Sequence, residues 1–135
     1  MKSRDTLVRV QRFHVDEKRR QVADIEAMVA DLKQKEADLE AQIEAEQTRT
    51  GIADVTHFAY STFARSAMNR RDNIRETVEG LLPQLEEARD QLTDAAAELK
   101  RLELLGERED ARRRMDIAKA EQRALDEAGM QSFRG

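Results

Sequence analysis

The residues able to do chemistry are few and badly spaced for it. The chain has two histidines, His14 and His57, and no cysteine. Neither histidine has a companion at ligand spacing, and no cysteine is available for a zinc site. His14, beside Asp16 and Glu17, reads as solvated surface. Gly51, Gly80, Gly106, Gly129 and Gly135 are scattered and form no phosphate-cradling loop. The Ser and Thr residues lack an adjacent base with an orienting partner. Carboxylates are plentiful, but acid–base chemistry needs a concave, water-poor pocket to tune them. No enzyme, no cofactor and no metal site is expected. The run Arg112, Arg113, Arg114 is a candidate basic strip on the overhang. Asp110, Asp116 and Glu121 lie nearby and no aromatic is interleaved, so a nucleic-acid interface is not expected.

The elements that carry these residues are long helices. Of 135 residues, 39% are charged and only 4% aromatic, with one proline and no tryptophan. That composition suits a coiled coil or a disordered chain, and the periodicity favours the coiled coil. Val8, Val15, Val22, Val29 and Ile43 fall on a seven-residue repeat, with Glu36 as its polar intruder. Ile25, Leu32 and Leu39 complete an a/d seam. Thr50 and Gly51 mark its stop. In the second half Ile74, Val78, Leu81, Leu85, Ala88, Leu92, Ala95, Leu99 and Leu102 alternate steps of four and three. The phase is expected to fail at Gly106 and resume, shifted, through Ala111, Met115, Ala118, Gln122 and Leu125, a discontinuity that alters supercoiling locally. Pro83 lacks a backbone donor. Because the seam keeps its phase across it, a kink is expected rather than a helix start.

Neither arm can bury its stripe alone. The expected fold is all-α: a long antiparallel two-helix coiled coil, a helical hairpin, with a short helical or irregular segment near the turn. One coiled-coil domain is expected over 1–135. Its parts are a first arm at about 5–48, a turn and aromatic segment at about 49–70, a second arm at about 71–128 and a tail at 129–135. Setting residue 43 near 75 places residue 10 near 110, so the second arm overhangs. No stretch approaches the roughly 20 apolar residues that span a bilayer, and no secretory signal is expected. Nothing in the sequence calls for direct membrane insertion.

Charge is segregated. Residues 1–20 carry seven basic and three acidic groups, whereas 24–46 carry eight acids against two bases and 76–110 eleven against four. Arg65, Arg70, Arg71 and Arg75 cluster with a single acid. The expected hairpin is basic at both tips and acidic along its shaft, which would steer two different partners to its ends. Between the arms "HFAYSTF" holds three of the five aromatics. On a helix Tyr60 and Phe63 share a face, with Ala67 following. They form either a local plug or an exposed anchor.

The opening "LVRVQRFHVDEKRRQVADIEAM", the central "YSTFARSA" and the ending "RRRMDIAKAEQRALDEAGMQSF" resemble the flagellar export protein family FliJ of the type III export apparatus. The resemblance covers nearly the whole chain. It implies a monomeric, non-enzymatic stalk similar to the gamma subunit of rotary ATPases. The end formed by the termini would enter the hexameric export ATPase, FliI, and promote its assembly and activity. It also implies contacts with the export gate protein FlhA and with export chaperones, in the cytoplasm at the inner-membrane export apparatus. By position, Tyr60, Phe63 and Ala67 correspond to the face toward the gate. Arg9, Arg12, Arg19, Arg112, Arg113 and Arg114 are the candidate surface toward the ATPase, on charge and hairpin geometry. Gly80 with Pro83, and the seam shift at Gly106, depart from a rigid stalk. The alternative is a self-associating coiled-coil scaffold or a secretion chaperone without an ATPase partner.

Overall fold

The computed structural model describes residues 2–134, and Gly135 of the expected tail lies outside them. Two helices account for nearly all of it: α1, Lys2–Thr50, and α2, Thr62–Arg134. No strand occurs among the described residues. The two helices pack against each other, as the double seam requires.

Local chemistry sets both inner ends. Gly51 has φ +72°, a left-handed conformation open to glycine, and its N–H donates to the Gln47 carbonyl at 2.9 Å. The Thr50 hydroxyl donates to the Glu46 carbonyl at 3.0 Å. At the other side Ser61 caps α2: its hydroxyl accepts from the Ala64 N–H at 3.2 Å. Residues 51–61 therefore suffice for the reversal, and α2 begins well inside the segment expected as a turn.

The chain groups into two compact units. One is Asp16–Thr93; the other joins the residues up to Val15 with those from Asp94 onward. The first is a helical hairpin with three apolar clusters. Val22 packs with Leu85 and Ala88, flanked by Ile25 and Leu92. Val29 packs with Val78 and Leu81, flanked by Leu32 and Ile74. Leu39 and Ile43 pack with Ala67, flanked by Met68 and Ile74. The pairing expected between residues 43 and 75 does not occur, because the short turn brings Ala67 to Ile43. Arg75 instead meets Glu36, with Nε donating to Oε1 at 2.7 Å. Arg71 and Arg75 both donate to Glu40 as well, at 3.0 and 2.8 Å. The basic stretch expected at a tip thus lies against an acidic stretch of α1, and this answers the polar intruder in the seam.

In the second unit the seam does not break at Gly106. Leu99, Leu102, Gly106 and Glu109 are half-buried and keep the four-and-three spacing. A Cβ on Gly106 would stand 3.7 Å from the Arg4 Cδ. The seam stops because α1 runs out: Arg4 forms an ion pair with Glu109. All described residues from Asp110 to Phe133 are exposed, so the shifted row Ala111, Met115, Ala118, Gln122 and Leu125 covers nothing on this chain. The helix continues to Arg134, through the described part of the tail set at 129–135. It also passes through Pro83 without starting anew there, with Pro83 on the exposed side and Leu81 and Leu85 buried on the other.

Candidate interaction surfaces

At the turn, Ala64 and Ala67 are completely buried, and their small side chains leave room for the Tyr60 ring, which is 6% exposed. Gln47 Nε2 donates to the Tyr60 hydroxyl at 2.9 Å, and that hydroxyl donates to Met68 Sδ at 3.4 Å. The Arg65 guanidinium lies 5.4 Å from the ring centroid, within cation–π range. Tyr60 is therefore the plug of the hairpin end. The expected common face of Tyr60, Phe63 and Ala67 does not exist. Tyr60 precedes the first turn of α2, so helical spacing does not relate it to Phe63, and Ala67 faces α1.

Of the three, only Phe63 reaches solvent, at 50% exposure, and Phe58 is 97% exposed. Phe58 stacks on His57, with ring centroids 4.7 Å apart. Backbone bonds hold this aromatic pair in place. The Ala59 N–H donates to His57 Nδ1 at 3.0 Å, and the Tyr60 N–H to the His57 carbonyl at 3.0 Å. Asp54 Oδ1 accepts from the Thr56 N–H and hydroxyl at 2.9 and 2.7 Å. These two bonds hold the Asp54 carboxyl below its ordinary range. Arg65 Nη2 closes the loop by donating to the Val55 carbonyl at 2.9 Å.

One residue at the turn escapes sequence reasoning. Glu46 accepts from Arg49 and from the Ser61 hydroxyl, the latter at 2.9 Å. It ties the last turn of α1 to the cap of α2. Arg49 first, and Ser61 second, lower its pKa from the ordinary value. No periodicity marks such a contact, because it depends on how the loop folds back.

The basic candidates divide between the units. Arg9, Arg12, Arg112, Arg113 and Arg114 belong to the unit of the chain ends, and Arg19 to the hairpin. Arg12 stands 4.0 Å from Glu103, while Arg19 pairs with Asp16 on its own helix at 3.3 Å. Arg9 and Arg112–Arg114 are exposed. Three consecutive helical residues point about 100° apart, so Arg112, Arg113 and Arg114 do not form one face. Arg108, Arg112 and Lys119 border a shallow groove with Ala111, Met115 and Asp116. No group of three metal-ligating side chains occurs among the described residues. No described helix is long and apolar enough to cross a membrane.

Comparison with known proteins gives one result. The family model described as Flagellar FliJ protein matches residues 8–135. No curated protein and no solved structure matches. The match spans essentially the whole chain, and the chain belongs to the FliJ family of flagellar export-related coiled-coil proteins.

Proposed function

From that membership we propose a non-enzymatic role: a coiled-coil stalk that binds the hexameric export ATPase FliI, promotes its assembly and activity, and links it to the export gate FlhA and to export chaperones. The observation that carries the reading is the family match over residues 8–135, in a chain whose two helices pack along a shared seam. The ATPase surface is the exposed basic set of the chain ends: Arg9, Arg12, Arg112, Arg113 and Arg114. Arg19, tied to Asp16, stands apart from it. The gate contact, first assigned to Tyr60, Phe63 and Ala67, rests on the exposed Phe63, since Tyr60 and Ala67 are buried. A peripheral place at the inner-membrane export apparatus follows from the same reading.

The test is the ATP hydrolysis rate of the export ATPase from the same organism, titrated with this protein. Saturable stimulation is expected. A competent ATPase that does not respond would sink the stalk reading. A second reading has one observation in its favour: the exposed row Ala111, Met115, Ala118 and Leu125 could serve self-association of a scaffold. Light scattering separates the two, since the stalk is a monomer on its own and the scaffold a stable oligomer.

A further inference from the structure

One row of the α1 seam changes character along its length. Ile25, Leu32 and Leu39 are preceded at the same seven-residue spacing by Lys18, Gln11 and Arg4. All three polar residues are half-buried at the helix–helix contact. Each is satisfied across it. Lys18 Nζ donates to Gln91 Oε1 at 2.9 Å, Gln11 Nε2 to the Ala95 carbonyl at 3.0 Å, and Arg4 Nη1 to the Leu105 carbonyl at 3.4 Å. Arg4 also pairs with Glu109, and Arg12 stands 4.0 Å from Glu103.

We propose that the first turns of α1, up to Val15, form a releasable clasp. Held on α2 by the contacts of Arg4, Gln11 and Arg12 and, at its inner end, by the buried Val15, it opens while the hairpin of Val22–Leu85 stays closed. The polar groups on both sides regain water when the clasp lifts, so little opposes their separation. Buried leucines and isoleucines have no such substitute. The three apolar clusters all lie between Val22 and Ala88. The two compact units also part at this place, between Val15 and Asp16 on α1 and between Thr93 and Asp94 on α2. Val15 and Ala95, only 4% and 5% exposed, hold the inner end of the clasp, so it lifts as one piece rather than fraying residue by residue. The clasp is closed in the structure, and opening uncovers two matched rows: Val8 and Val15 on α1, and Ala95, Leu99 and Leu102 on α2.

Hydrogen exchange on the full chain tests this, read peptide by peptide. Amides of Asp5–Val15 are expected to exchange about tenfold or more faster than those of Val22–Ile43, as a locally opening segment does beside a core that opens only globally. Raising NaCl from about 0.1 to about 1 M shortens the screening length from about 10 to about 3 Å, so exchange of Asp5–Val15 should quicken about threefold. Val22–Ile43 should not respond. The double substitution Gln11→Leu with Lys18→Leu makes the row apolar at every position but Arg4 and should slow exchange of Asp5–Val15 about tenfold. Leucine is a good helix former, and the single Gln11→Leu reports the same effect at smaller size. Equal protection from Asp5 to Ile43 overturns the proposal. So does a gradient indifferent to salt, or one that the leucine row leaves unchanged, which is what a merely frayed end would show.

Discussion

The two pairings of α1 with α2 use one geometry and fill it differently. Between Val22 and Ile43 the seam is closed by side chains that leave water: Val22, Val29, Leu39, Ile43, Val78, Leu81 and Leu85 are all buried. Between Arg4 and Val15 the same positions hold Arg4, Val8, Gln11 and Val15, and much of the contact is hydrogen bonds and ion pairs. The four-and-three spacing is identical. Burial is worth roughly 25 cal/mol per Å² of apolar area. A polar contact half in water gives back most of what it takes. Spacing therefore decides that two helices meet, and residue type decides how firmly.

Matched substitutions would break this comparison most sharply. Leu85→Asp places an unpaired charge beside Val22 and should lower stability by about 3 to 5 kcal/mol. Leu102→Asp sits in the half-buried, polar seam and should cost about 1 kcal/mol or less. Thermal melts followed by circular dichroism read both, and equal losses would erase the distinction. A smaller effect sharpens the account of the turn. Tyr60→Phe removes the hydroxyl that accepts from Gln47 and donates to Met68, at an expected cost of about 0.5 to 1.5 kcal/mol. Unchanged melting of that variant would mean that ring burial alone seats Tyr60.

The smallest expected effect concerns acid. Arg49 and Ser61 lower the Glu46 pKa in the folded chain, so folding favours the carboxylate. That contribution is present above the ordinary value of 4.5 and fades as pH falls below it toward the folded value. Glu46→Gln should lower stability near neutral pH slightly and flatten this part of the acid titration. A titration of the variant that matches the parent below that value would remove Glu46 from the turn's stability.

Much of this architecture was legible beforehand, and the misses have physical causes. The apolar rows from Val8 to Leu102 are visible because helical burial leaves a seven-residue repeat. Their register is not, since sliding one helix by a heptad keeps every apolar row on the seam. The expected partner of Ile43 was residue 75 and the observed one is Ala67, a slip of about one such repeat. The seam beyond Leu102 was hidden because Gly106 and Glu109 occupy its positions without being apolar. The face assigned to Tyr60, Phe63 and Ala67 assumed a helix already formed at Tyr60, two residues before α2 begins.

Composition and periodicity alone determined that this chain makes two long helices with complementary stripes. Those properties are local, written in each residue's type and its distance along the chain. Tertiary structure decided the rest. The left-handed Gly51, the Ser61 cap and the Glu46 bridge shortened the turn. That set the register, brought Arg71 and Arg75 against Glu36 and Glu40, buried Tyr60 and left Phe58 outside. Such choices rest on contacts between distant residues, whose energies differ between registers even where the seven-residue pattern does not.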